Sequence, residues 1–172
     1  VTAARQLSLV PSGGAEFSSC GTYRYLLWRA WRPGARALFI MLNPSTATET
    51  VDDPTIRRCI GFARSWGFDG LEVCNLFALR STDPNALLRH PEPIGPLNDE
   101  TIAGAARRAG RVVCAWGSHR AMTARGPSVL NGLWGFGIIP WVLALTPGLG
   151  RPAHPLYLRK DLEPVRLLPE AP

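Results

Sequence analysis

Asn43, Asn75, His119 and His154 each stand at or shortly after the point where an apolar run gives way to polar, turn-forming residues. An asparagine amide presents one acceptor and two donors in a plane, which matches the paired donor and acceptor edge of a nucleobase. Beside a scissile bond, an asparagine carbonyl oxygen can orient a water molecule, although it is no strong base at neutral pH. Histidine can stabilise developing charge either as a neutral donor or as imidazolium. Asn75 is the candidate base reader, Asn43 the candidate water-positioning residue, and His154 the candidate stabiliser of a departing base oxygen. Taken singly, Asn43-Pro44 also reads as a plain turn and His154-Pro155 as a capped one.

The runs that would position these residues repeat one grammar. Ala37-Leu-Phe-Ile-Met-Leu ends in Asn43-Pro44-Ser45, Leu71-Glu-Val-Cys ends in Asn75-Leu-Phe77, and Arg111-Val-Val-Cys-Ala-Trp116 ends in Gly117-Ser118-His119. Pro140-Trp-Val-Leu-Ala-Leu145 is a fourth, followed at loop distance by His154-Pro155-Leu156-Tyr157. Short continuous apolar runs bounded by turn signals predict strands buried on both faces, as in a parallel sheet covered by helices. The spacers are long enough for helical crossovers, so all the polar ends fall on one sheet edge, where open α/β sheets bind ligands. The expected fold is a three-layer αβα sandwich around a mostly parallel sheet of about four strands.

Helix signals fill the spacers. Asp53-Pro54-Thr55 predicts a helix start, with Ile56, Ile60 and Ala63 at helical spacing and an end near Trp66-Gly67-Phe68. Asn98-Asp99-Glu100 opens a second helix running to Gly110, and a third is expected over 121–134, interrupted near Gly126-Pro127. Residues 82–96 form a Pro-rich loop. Phe17 to Trp31 alternates in places, which predicts a hairpin or edge strand. Residues 1–15 and 160–172 are expected to be peripheral to a single domain spanning 1–172.

A chain of 172 residues with 46% hydrophobic content and mean hydropathy near zero suits one ordinary globular core. Neither an apolar run of about 20 residues nor a signal-like amino terminus is seen, so a cytoplasmic monomer without membrane contact is expected. The net charge of +6 rests almost wholly on arginine, Lys160 being the one lysine. Arginine favours forked contacts to phosphate, although codons rich in G and C would produce the same bias. Nucleic acid or a nucleotide is therefore the expected partner, with Arg24, Arg57, Arg58, Arg80, Ser118, His119 and Tyr157 as candidate contacts. Cys20, Cys59, Cys74 and Cys114 show no metal-type spacing and are expected as free thiols. No cofactor and no metal is called for.

Tyr23-Arg24-Tyr25, Leu42-Asn43-Pro44-Ser45-Thr46, Asp52-Asp53-Pro54-Thr55-Ile56-Arg57-Arg58, Asn75-Leu76-Phe77-Ala78, Ala115-Trp116-Gly117 and His154-Pro155-Leu156-Tyr157 together resemble the bacterial family designated domain of unknown function 1643. More distantly, the motif order is similar to that of the uracil-DNA glycosylase superfamily, a three-layer αβα fold with a parallel four-stranded sheet. That resemblance implies hydrolysis of an N-glycosidic bond after the base is flipped from its stack. Leu42-Asn43-Pro44-Ser45 resembles the water-activating loop, Asn75 the base reader and His154-Pro155 the motif carrying the catalytic histidine. Leu156-Tyr157 stands where that pattern has a small residue and then a wedge, and Phe77 or Tyr25 is the candidate for stacking on the base.

Asp52 and Asp53 offer adjacent carboxylates. Asp53 reads as a helix N-cap, and since adjacent carboxylates point different ways from a loop, Asp52 could face the cleft as a base or bind a metal. Arg57 and Arg58 could meet phosphate or form a solvated helix face. Two other classes of function fit the same residues: a nucleic-acid or nucleotide binding module without chemistry, and a metal-dependent hydrolase using Asp52, Asp53 and His154.

Overall fold

The computed structural model describes residues 12–169. Most of the carboxyl-terminal segment called peripheral is thus described, whereas 1–11 and 170–172 lie outside the described residues. The chain folds as β1 (Ser12–Phe17), β2 (Arg24–Ala30), β3 (Arg36–Met41), α1 (Pro54–Ser65), β4 (Gly70–Asn75), α2 (Ala86–Arg89), α3 (Asn98–Arg108), β5 (Arg111–Cys114), α4 (Met122–Gly135), β6 (Trp141–Val142) and β7 (Val165–Arg166). A single turn of 3-10 helix spans Pro155–Tyr157.

The sheet has seven strands rather than about four, in the order β1-β2-β4-β3-β5-β6-β7, and it is mixed. Its middle consists of the four strands read from apolar runs, β4-β3-β5-β6, mutually parallel. The β1–β2 hairpin adds antiparallel strands on one side and β7 adds one on the other. Ser12–Phe17 and Val165–Arg166 therefore belong to the sheet instead of lying outside it. Their short or polar stretches carry little apolar signal because they sit at its edges, where only one neighbour is needed.

Strand alternation sends side chains to two cores. Ala37, Phe39 and Met41 pack with Ile56, Cys59, Phe62 and Ala63 of α1, while Leu38 and Ile40 join Ile102, Ala105, Val129 and Leu133 of α3 and α4. Helices thus cover both faces. The connection leaving β3 runs to α1 on one face, whereas those leaving β4 and β5 run to α3 and α4 on the other. This reversal opens a crevice at the carboxyl ends of β3 and its neighbours.

Helix α1 begins as expected, with Asp53 accepting from the Ile56 amide at 2.8 Å and Pro54 in the first turn. The third helix is not interrupted: α4 runs unbroken through Pro127. Burial of Met122, Gly126, Val129 and Leu133 along one side holds it together against the missing N–H. Cys59, Cys74 and Cys114 are buried free thiols, and desolvation pushes all three pKa values up. Cys20 is exposed, and its hydrogen bonds with Ser18 and Thr22 bring its thiol down to about 7.

Candidate active site

The crevice holds a cavity of about 370 Å³ lined by Arg24, Met41, Asn43, Ser45, Asp53, Asn75, Ser81, Thr82, Trp116, His154 and Tyr157 among others. Asn43, Asn75 and His154, assigned to one cleft from sequence, do share it. Met41 pairs with Asn75 across β3 and β4, and the same backbone pairing continues as Leu76 N to Met41 O and Phe77 N to Leu42 O. Both asparagines therefore sit side by side where the parallel strands end.

The Asn43 amide has a fixed orientation. Its Nδ2 donates to Ser81 O at 2.8 Å and to Pro44 O at 3.0 Å, and two carbonyl acceptors decide which end of the amide is nitrogen. Oδ1 has no partner among the described residues, so it is available to accept from a water or ligand. Asn75 is only 2% exposed, and its Nδ2 is buried without a partner. A buried donor left unpaired costs about 1–3 kcal/mol, so an acceptor supplied by a ligand would relieve that cost. The end of β4 is held by the fully buried Asn98, whose Nδ2 donates to both Asn75 O and Leu76 O at 3.0 Å, and by Arg125, which also donates to Leu76 O. Asn98 and Arg125 carry no local sequence signature for this bracing role.

His154 caps the 3-10 turn, its Nδ1 accepting from the Leu156 amide at 3.3 Å, which places the neutral ring's proton on Nε2. Burial lowers its pKa below the usual 6.5, and nearby Asp53 opposes that shift only in part. The folded protein thus holds His154 neutral in a range where the unfolded chain binds a proton. This contribution to stability is complete above pH 6.5 and is lost as pH falls through the lowered folded value. Melting temperatures of wild type and His154→Gln, measured from pH 8 to 5, are expected to converge on the acid side; a constant gap would contradict the neutral assignment.

Asp53, read from sequence as a cap, both caps α1 and lines the cavity. Asp52, expected to face it, does not: its carboxylate lies 2.8 Å from Arg29 Nε on the far side of the loop. Adjacent residues in an extended segment point in opposite directions, and the capping geometry gives the cleft to Asp53. The Asp52, Asp53 and His154 trio is not assembled, and among the described residues no three His, Cys, Asp or Glu side chains are placed to hold a metal ion.

Other expectations are corrected as well. Gly117 adopts φ of 78°, a left-handed turn that leaves Trp116 on the cavity wall and carries Ser118 and His119 out of it. His119 Nδ1 instead accepts from Ala121 N in the turn ahead of α4, while the exposed Ser118 takes a hydrogen bond from Arg151 on its carbonyl oxygen. Gly117 N donates to Pro152 O at 2.8 Å, docking the segment that brings His154 in. Phe77 is buried in the core on the α3 and α4 face, and Tyr25 stacks on Tyr23; neither lines the cleft. Pro44 is buried beside it without lining it, and Arg80 lies over the Phe17 ring at the surface. Tyr157, 85% exposed, is the aromatic ring at the cavity rim, 6.1 Å from the His154 ring.

Next to the cleft, Arg57, Arg58 and Lys160 line a groove of about 560 Å³ with Phe62 and Leu156. Arg58 stacks over Phe62 and donates to Pro155 O, and none of the three cations makes an ion pair among the described residues.

Arg24, expected as a phosphate or nucleic-acid contact, is buried in the cleft at 3% exposure. The β1–β2 register runs Glu16 with Leu26 and then Phe17 with Arg24, so Tyr25 is the extra residue of a bulge. A bulge re-aims the neighbouring side chain. Arg24 thereby reaches across to donate to Ala47 O at 2.6 Å, while Tyr25 turns to Tyr23.

No helix among the described residues is long and apolar enough to cross a membrane. Comparison with curated proteins and with solved structures returns no match. A family model described as protein of unknown function DUF1643 matches residues 24–156, a span that contains Arg24, Asn43, Asp53, Asn75 and His154. The chain therefore belongs to the DUF1643 family.

Proposed function

We propose that the cleft binds a nucleobase and hydrolyses its N-glycosidic bond. The observation that carries this reading is the convergence of four differently suited groups on one cavity: Asn43 with a tethered amide and an open Oδ1, Asn75 with an unpaired buried donor, neutral His154, and Asp53. Asn75 reads the base. Asn43 Oδ1 accepts from the attacking water. As the bond between C1′ and the base nitrogen breaks, its electron pair leaves with the base and positive charge grows on the sugar, where the Asp53 carboxylate stabilises it. Water oxygen adds to C1′, and its proton passes to Asp53. The His154 Nε2–H donates to the departing base.

The proposed partner is a nucleic-acid strand or nucleotide whose phosphates follow the Arg57, Arg58 and Lys160 groove, with Tyr157 stacking at the rim. Mass spectrometry of single-stranded and duplex oligonucleotides, and of free nucleotides, containing uracil, hypoxanthine or modified pyrimidines tests the reaction. Free base is the expected product from at least one of them. Salt-dependent binding with no base released from any would overturn the hydrolase reading in favour of a binding module, for which the same groove is the supporting feature.

A further inference from the structure

The mechanism above leaves the most costly polar group of the cleft unused. Arg24 is 3% exposed, its Nε is buried without a partner, and it forms no ion pair among the described residues. Among the described residues its single acceptor is the neutral Ala47 carbonyl. Desolvation lowers its pKa to about 10, and Asp53 opposes that shift only from beyond ion-pair distance. A guanidinium with this little compensation is built to receive an anion from outside the protein. The bulge at Tyr25 aims it there, at the expense of a regular β1–β2 ladder.

Its place along the cleft says which end of the ligand carries the charge. Across the sheet edge the order is Arg24 on β2, Asn75 on β4, Asn43 after β3, and then the Trp116 and His154 side that adjoins the basic groove. If phosphates lie toward the groove and the scissile bond lies by Asn43 and His154, the base lies on Asn75 and its far edge meets Arg24.

We propose that this cleft selects a nucleobase bearing a negatively charged oxygen, held by Arg24 and flanked by the Asn75 Nδ2 donor. The inference rests on the base-binding reading and names its substrate class. Two sources supply such an oxygen: a carboxylate substituent on the ring, or a ring carbonyl ionised by loss of an acidic N–H. Each presents two or more acceptor lone pairs to Arg24 Nε and Asn75 Nδ2, donors without a partner among the described residues.

Calorimetric titration of the wild-type chain with free bases tests this without requiring turnover. The probes are 5-carboxyuracil, 5-fluorouracil, uracil and cytosine at pH 7.5 and 8.5. Binding of 5-carboxyuracil at least tenfold tighter than uracil supports the assignment with a carboxylate as the source. Tighter binding of 5-fluorouracil than uracil that strengthens with pH supports it with an ionised ring as the source. In either case Arg24→Gln is expected to erase the preference while uracil still binds, and Arg24→Lys to restore part of it. Equal affinity for all four bases overturns the assignment and leaves the base-release reading standing, whereas binding of none overturns both. Because the comparison among bases is made in the wild type, it decides the matter even where Arg24→Gln fails to fold.

Discussion

Asn43→Ala is expected to slow base release by roughly 10²-fold, the scale of loss when a reacting water is no longer held in line with the bond it attacks. Substrate affinity should change little, because Asn75 and the basic groove remain. The substitution also strands Ser81 O and removes the bond to Pro44 O, which keeps the Ser81 amide, at a cost of about 1–2 kcal/mol. A lowering of Tm by roughly 2–8 °C is therefore expected, well short of unfolding. Asn43→Asp separates orientation from chemistry. It keeps an acceptor oxygen but sets a carboxylate against the two carbonyl oxygens that now accept from Nδ2, so it should turn out of place and lose activity as well. Single-turnover release and binding, measured on the same preparations, provide the check. Turnover at the wild-type rate in Asn43→Ala would remove Asn43 from the mechanism.

The residues that sequence placed correctly share a physical cause. Asn43, Asn75 and His154 could be placed in one cleft because each terminates, or closely follows, an apolar run too short for anything but a buried strand, and parallel strands put such ends on one edge. Asp53-Pro54 could be read because that helix start depends on local capping and proline geometry, and the start of α3 because Asp99 and Glu100 suit the positive end of a helix. What stayed hidden depends on contacts distant in sequence. Arg24 owes its burial to a one-residue bulge whose existence is set by pairing with Phe17. Asn98 braces β4 from more than twenty residues away, and a bridging amide has the same local sequence context as an exposed one.

Misplaced residues have equally specific causes. His119 stands two residues past Gly117, whose positive φ turns the chain so that Trp116 lines the cleft instead. Choosing between Asp52 and Asp53 required knowing that Arg29 waits on the other side of the loop. The edge strand β7 carries no readable pattern because it is two residues long and draws on the sheet it completes.

Asp53→Asn is expected to have the largest effect on catalysis with the smallest effect on the fold. Asparagine caps helix N-termini about as well as aspartate, so the bond to the Ile56 amide survives and α1 should lose no more than the charge–dipole part of the interaction, about 0.3–1 kcal/mol. Chemistry depends on the charge itself. A neutral amide can neither balance positive charge on the sugar nor accept the proton of the attacking water, and removing one such electrostatic partner typically costs about 10²–10³-fold in rate. Asp53→Ala should lose the same activity and in addition about 1 kcal/mol of stability. The pair of variants separates the cap from the carboxylate: parallel losses of Tm and rate in both would mean that Asp53 acts only by starting α1. A large loss of rate in Asp53→Asn at nearly wild-type Tm would place its charge at the reacting sugar, and His154, whose pKa it raises, would then titrate lower in that variant as an independent sign that the two share the cleft.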